Sequence, residues 1–241
     1  MDEQKDGEKK AETTIPPAIL IRGAIRIVLA IVFMGATLFI SAGSFQWKDA
    51  RTLLGLFFII IIINLLVLIK WNPGVIEERM NVKKGTKKWD LVLGSVIGVL
   101  SIGILVIAGL DERYGWSPDM AHWIRMLAIA MCVLSDLFFL WAMAVNKYFA
   151  KFMRIQEDRG HTVVTDGPYQ YIRHPGYVGW TFMWITLPVI LGSLWAFLPV
   201  GVSIILILVR TAWEDKCLME ELEGYPEYSH KVRFRLIPGL W

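Results

Sequence analysis

Residues 177–213 read YVGWTFMWITLPVILGSLWAFLPVGVSIILILVRTAW, a run whose only charged residue is Arg210. At ~1.5 Å per residue, one helix over this run would be about 55 Å long, nearly twice the ~30 Å hydrocarbon width of a bilayer. Pro188 and Gly192-Ser193 interrupt it. The run therefore predicts two helices folded back as a hairpin within a membrane. The whole chain agrees with that reading. Of its 241 residues, 55% are hydrophobic and 12% aromatic, and the mean hydropathy is +0.49, which is too apolar for an ordinary soluble domain.

Working outward, further span-length apolar stretches lie at 18–43, 53–71, 89–110 and about 121–148. The first carries Arg22 and Arg26 near its start, where long side chains snorkel to the interface. The second contains Ile59 to Ile63 and a single polar residue, Asn64, which reads as an interhelical hydrogen bond. In the third, Gly98, Ser101 and Gly103 read as close helix packing. The fold class expected is thus all-α, a polytopic integral membrane protein of about six transmembrane helices. Three regions divide it: a disordered tail over 1–17, four spans over 18–148, and a core over 149–241 formed by a polar loop, the hairpin and an amphiphilic C-terminal helix beyond residue 213.

Orientation follows from the connections. Lys and Arg are dense before the first span, at 72–88, at 147–173 and after 213, and sparse at 44–52, 111–119 and 192–193. Positive loops stay on the cytoplasmic side, so both termini are expected there. The net charge of +3 is small and its basic residues sit between apolar runs, which argues against nucleic acid as a partner. Cys132 lies in an apolar run and Cys217 in a charged segment, so no disulfide is expected. The four histidines have no metal-ligand spacing, and no glycine-rich dinucleotide fingerprint follows a strand.

The stretch just before the hairpin is polar and aromatic. Gly167-Pro168 sets a tight turn, and Pro175 holds His174 extended while opening the helix that follows. The free N–H groups of that helix start, with Gly176 offering no side chain and Arg173 and His174 beside it, form a candidate anion cradle. At the far end of the hairpin Arg210 and Glu214 are one turn apart, followed by Asp215, an ion pair if exposed and a candidate site if held at the membrane boundary.

These two blocks, Gly167-Pro168-Tyr169 with Arg173-His174-Pro175-Gly176-Tyr177, and Arg210, Glu214-Asp215, Gly224-Tyr225, Tyr228 and Arg235 to Gly239, resemble the signature of the isoprenylcysteine carboxyl methyltransferase and phospholipid methyltransferase group. The resemblance covers about the C-terminal 100 residues. It implies an integral-membrane enzyme that transfers a methyl group from S-adenosyl-L-methionine to a lipophilic or lipid-modified acceptor at the cytosolic face, an isoprenylcysteine carboxylate above all. A phospholipid amine is the alternative acceptor, and a sterol-type reductase using a nicotinamide cofactor is the rival class. By the resemblance, Val164, Gly167, Tyr169, Arg173, His174, Gly176, Tyr177, Glu214 and Asp215 would hold the cofactor, while Arg173, Arg210 and Glu214 would serve the chemistry. No metal is implied.

Overall fold

The computed structural model describes residues 17–241, and most of the expected disordered tail lies outside them. The chain forms α1 (Pro17–Ala42), α2 (Lys48–Trp71), α3 (Pro73–Met80), α4 (Lys88–Tyr114), α5 (His122–Val145), α6 (Pro175–Leu191), α7 (Phe197–Glu221) and α8 (Tyr225–Lys231). Among the described residues there is no strand. Helices α1, α2, α4, α5 and α7 are long and apolar enough to cross a membrane. The sixth expected span, α6, has 17 residues, about 25 Å of helix against a ~30 Å core.

The spanning helices stand in two rows. Helix α4 packs between α1 and α7, and α5 between α2 and α6, while α1 on α2 and α6 on α7 join the rows. Glycine permits two close crossings. A Cβ on Gly109 of α4 would lie 2.9 Å from the Leu38 carbonyl oxygen of α1. A Cβ on Gly179 of α6 would lie 2.8 Å from both the Phe139 nitrogen and the Ser135 oxygen of α5. Backbone leaves no room to yield at either place. Asn64 does bond across helices, its amide donating to Asp136 Oδ1 at 3.0 Å. The outward faces of α1 and α2 expose Ile25, Leu29, Val32, Phe58, Ile59 and Leu66, as a lipid-facing surface requires.

Three expectations are corrected. The polar connection 72–88 contains α3, opened by Pro73 and placed directly after α2. Helix α7 does not stop at Trp213 but continues to Glu221, because Glu214 to Glu221 are good helix formers and their polar side chains leave the membrane rather than ending the helix. Gly224 at φ 78° then turns the chain into the short α8, and the tail follows it. Finally, a Cβ on Gly98 would meet nothing within 4 Å and one on Gly103 would meet only Pro199 at 3.9 Å, so neither glycine marks a close helix crossing.

The two ends of the bundle differ. At one, Asp111 closing α4 accepts hydrogen bonds from Ser117 and from Ser193 in the α6–α7 turn. At the other, the connections 72–88 and 146–174 meet the C-terminal segment, and the polar interior lies there.

Candidate active site

Helix α7 delivers Arg210, Glu214 and Asp215 to the polar end, and Pro175 starts α6 opposite them. Asp215 is the meeting point. It accepts hydrogen bonds from Tyr225 Oη at 2.8 Å and Arg235 Nε at 2.9 Å, with His174 Nε2 3.3 Å away. A carboxylate partner requires the ring hydrogen on Nε2. Arg173 Nε also lies 3.3 Å from Asp215, yet it is buried without a hydrogen bond because its N–H is not aimed at the oxygen. The C-terminal segment is stitched to the same place by backbone bonds from Arg173 to Phe234 and from His174 to Arg235, both 2.9 Å. Tyr228 Oη donates to the Tyr169 carbonyl at 2.7 Å. Burial pushes the Tyr169, Tyr225 and Tyr228 hydroxyls well above their ordinary range, so all three stay neutral, Tyr225 and Tyr228 as donors and Tyr169 accepting the Asn146 amide at 3.0 Å.

One turn away, Tyr177 Oη donates to Glu214 Oε2, and the Tyr177 ring stacks beside His174 with centroids 5.8 Å apart. The Arg210 guanidinium lies over the Tyr177 ring at 5.3 Å. Its carboxylate partner is Asp90, with Nε and Nη2 at 2.6 and 2.8 Å. The sequence suggested Glu214 as that partner, four residues on. The structure replaces it with Asp90 from the first turn of α4, fully buried and also accepting the Met153 amide at 2.6 Å. Asp90 was missed, although an acid starting an apolar span was a visible signal.

The connection after α5 covers the site. Met153 accepts from the Lys87 amide at 2.9 Å, and Arg154 forks onto Glu78 at 2.8 and 3.0 Å while reaching Asp158 at 2.8 Å. His161 packs on Tyr148 at 4.3 Å and accepts the Gln156 amide through Nδ1 at 3.2 Å. Burial, helped by Arg154, Arg159 and Lys147, lowers its pKa to about 4. The ring is therefore neutral at physiological pH.

Between this cover and the helix ends lies a cavity of about 380 Å³, within the size range of small-molecule sites. Val164, Tyr169, Arg173, His174, Gly176, Tyr177, Arg210 and Glu214, all singled out from sequence, line it. Gly167 and Asp215 do not. Gly167, at φ 57°, makes the turn and leaves room for Trp141 and Val145, while Asp215 stands behind the wall and clamps its cations. Gly176 also has a different reason than expected. A Cβ there would lie 2.6 Å from the Phe149 ring, so the missing side chain seats an aromatic. The cavity extends along the open face of α4, past Gly94, Ile97, Gly98 and Ser101, to Trp184 and Ile207. It joins a charged chamber to an apolar arm.

Fold and site together define an all-α, polytopic integral membrane protein with a mixed-charge chamber at one end of its bundle. Within that class, residues 127–220 match the model of the isoprenylcysteine carboxyl methyltransferase (ICMT) family. The resemblance read from the two sequence blocks holds over that segment. Two relatives described as protein-S-isoprenylcysteine O-methyltransferase are similar to part of the chain, from Tribolium castaneum at 30% identity over 71 residues and from Xenopus laevis at 31% over 70. These matches cover 29% and 28% of this chain, and about a quarter of each relative (25% and 24%). A solved eukaryotic intramembrane Ras methyltransferase, an isoprenylcysteine carboxyl methyltransferase, aligns over 91% of this chain and 86% of its own, at 16% identity and TM-score 0.49.

Proposed function

We propose that this protein is an S-adenosyl-L-methionine-dependent methyltransferase that esterifies the carboxylate of an isoprenylcysteine-like acceptor at the cytosolic membrane face. One observation carries the reading: the cations ahead of α6 and Glu214 of α7 face a single chamber that continues into an apolar arm. The residues fit the donor. Its amino-acid end is a zwitterion, and the wall supplies Arg173, whose Nε is buried without a hydrogen bond, and Glu214. Tyr169, Tyr177 and Trp180 offer faces for an adenosyl group. When bound, S-adenosyl-L-methionine supplies a methyl carried on a positively charged sulfur.

The residues of this chain then have three tasks. Asp215 holds Arg173 and His174 still, and Asp90 does the same for Arg210, so the chamber's charges are set before ligands arrive. Phe139, Phe149 and Trp180 exclude water from the meeting of an anion with a cation, where charge cancels in the transition state. The arm past Gly98 takes the acceptor's apolar chain. A carboxylate acceptor, with an ordinary pKa of ~4, is ionised already and needs no base. An amine acceptor needs a proton removed; Glu214 is engaged by the Tyr177 hydroxyl and Asp215 by His174, Arg235 and Tyr225, which leaves His174 Nδ1 as the remaining base, whereas a carboxylate asks for none. The carboxylate reading is favoured on that ground.

The test is methyl transfer from labelled S-adenosyl-L-methionine by the detergent-purified full chain, with N-acetyl-S-farnesylcysteine and phosphatidylethanolamine offered separately. Label appearing as a base-labile ester on the farnesylcysteine supports the reading. Label only on the phospholipid, or on neither, overturns it. Arg173→Lys and Glu214→Gln should each abolish S-adenosylhomocysteine binding while leaving the protein monodisperse, because a point ammonium and a neutral amide replace a planar fork and a charge.

A further inference from the structure

Four arginines line the cavity: Arg79, Arg154, Arg173 and Arg210. Three have a carboxylate of the protein beside them. Arg154 has Glu78 at 2.8 Å, Arg173 has Asp215 at 3.3 Å, and Arg210 has Asp90 at 2.6 Å. Arg79 has none among the described residues. Its guanidinium instead rests on two rings, 5.3 Å from the centroid of Phe149 and 5.8 Å from that of Phe139. Burial and the charge on Arg210 depress its pKa to about 10, so it stays cationic at neutral pH, half-buried against those rings. Glu78, next in sequence, is turned away and fully engaged by Arg154.

A cation without a carboxylate on the wall of a partly desolvated chamber is costly unless a ligand supplies the anion. The amino-acid end of the methyl donor needs a cation and an anion side by side, which Arg173 and Glu214 provide. Arg79 offers a cation alone, on an aromatic shelf beside the chamber's apolar walls. That matches a lone carboxylate attached to an apolar chain. We infer that Arg79 anchors the carboxylate of the methyl acceptor, a specificity role within the function proposed above and dependent on it. Helix α3, which follows α2 with only Asn72 between them, exists to place this residue: Asn72 donates to the Met143 and Asn146 carbonyls at the end of α5, at 2.9 and 3.0 Å, fixing α3 against the chamber.

The experiment compares wild type with Arg79→Lys, Arg79→Met and, as a control for ordinary ion-pair loss, Arg154→Met. Three quantities are read: S-adenosylhomocysteine affinity, KM for N-acetyl-S-farnesylcysteine, and the preference of binding for this acid over its methyl ester. In Arg79→Met the acceptor KM should rise roughly 30-fold or more, the cost of removing one side of a desolvated charge pair. Arg79→Lys should fall between. The acid-over-ester preference should vanish, donor-product affinity should hold, and thermal stability should not drop, whereas Arg154→Met should melt earlier. An unchanged KM and preference, or donor-product binding lost in parallel, overturns the role of Arg79. If wild type methylates no carboxylate acceptor, the function itself fails first, which is a different result.

Discussion

At the scale of single residues, two aspartates organise the chamber without sharing one task. Asp215 is almost fully buried among Arg173, His174, Tyr225 and Arg235, so Asp215→Asn leaves two arginines facing a neutral amide. Breaking a buried pair from one side costs about 3–5 kcal/mol. The expected outcome is a lower melting temperature together with lost S-adenosylhomocysteine binding. Asp90→Asn breaks an equally buried pair and should also lower the melting temperature, but its effect on ligands is narrower. Arg210 keeps its hydrogen bond to the Lys151 carbonyl and its place over Tyr177, but its second anchor is weakened, so turnover should fall by a factor of roughly ten or more while donor affinity changes little. Steady-state kinetics beside calorimetry distinguishes the two. Asp215 was readable in sequence as a site candidate, though as a ligand contact rather than a clamp. Nothing local to Asp90 names Arg210, because 120 positions separate them.

At the scale of elements, the α5–α6 contact sets where His174 and Tyr177 stand. Gly179→Ala forces a Cβ within 2.8 Å of α5 backbone, and overpacking of this kind costs about 1–3 kcal/mol. A melting shift should follow, with activity falling because the start of α6 moves with it. The connection over the cavity makes a pH prediction. His161 has a folded pKa of about 4 against an ordinary value near 6.5, so the opened connection binds the proton more readily. Its contribution to stability is complete above pH 6.5 and is lost as pH falls toward 4. Cleavage of this connection by an acid-active protease, normalised to an unfolded control at each pH, should accelerate over that window, and His161→Asn, which keeps an acceptor for the Gln156 amide, should flatten the dependence.

At the scale of the molecule, the proposed orientation puts the connections 72–88 and 146–174 and the C-terminal segment in the cytosol. In a background without Cys132 and Cys217, Lys84→Cys should react with an impermeant thiol reagent only from the cytoplasmic side and Ser44→Cys only from the opposite side; labelling of both from one side defeats the topology. Much of the fold was legible because a bilayer demands long apolar helices, and that demand is written locally. The hairpin, the Gly167 turn and the Pro175 helix start all follow from residues next to one another. Tertiary structure alone decided which carboxylate faces which cation, why Gly176 is small, that the face of α4 at Gly98 lines a cavity, and that Arg79 has no carboxylate beside it among the described residues. Pairings of this kind depend on the packing of helices distant in sequence, where desolvation makes each charge depend on its neighbours in space.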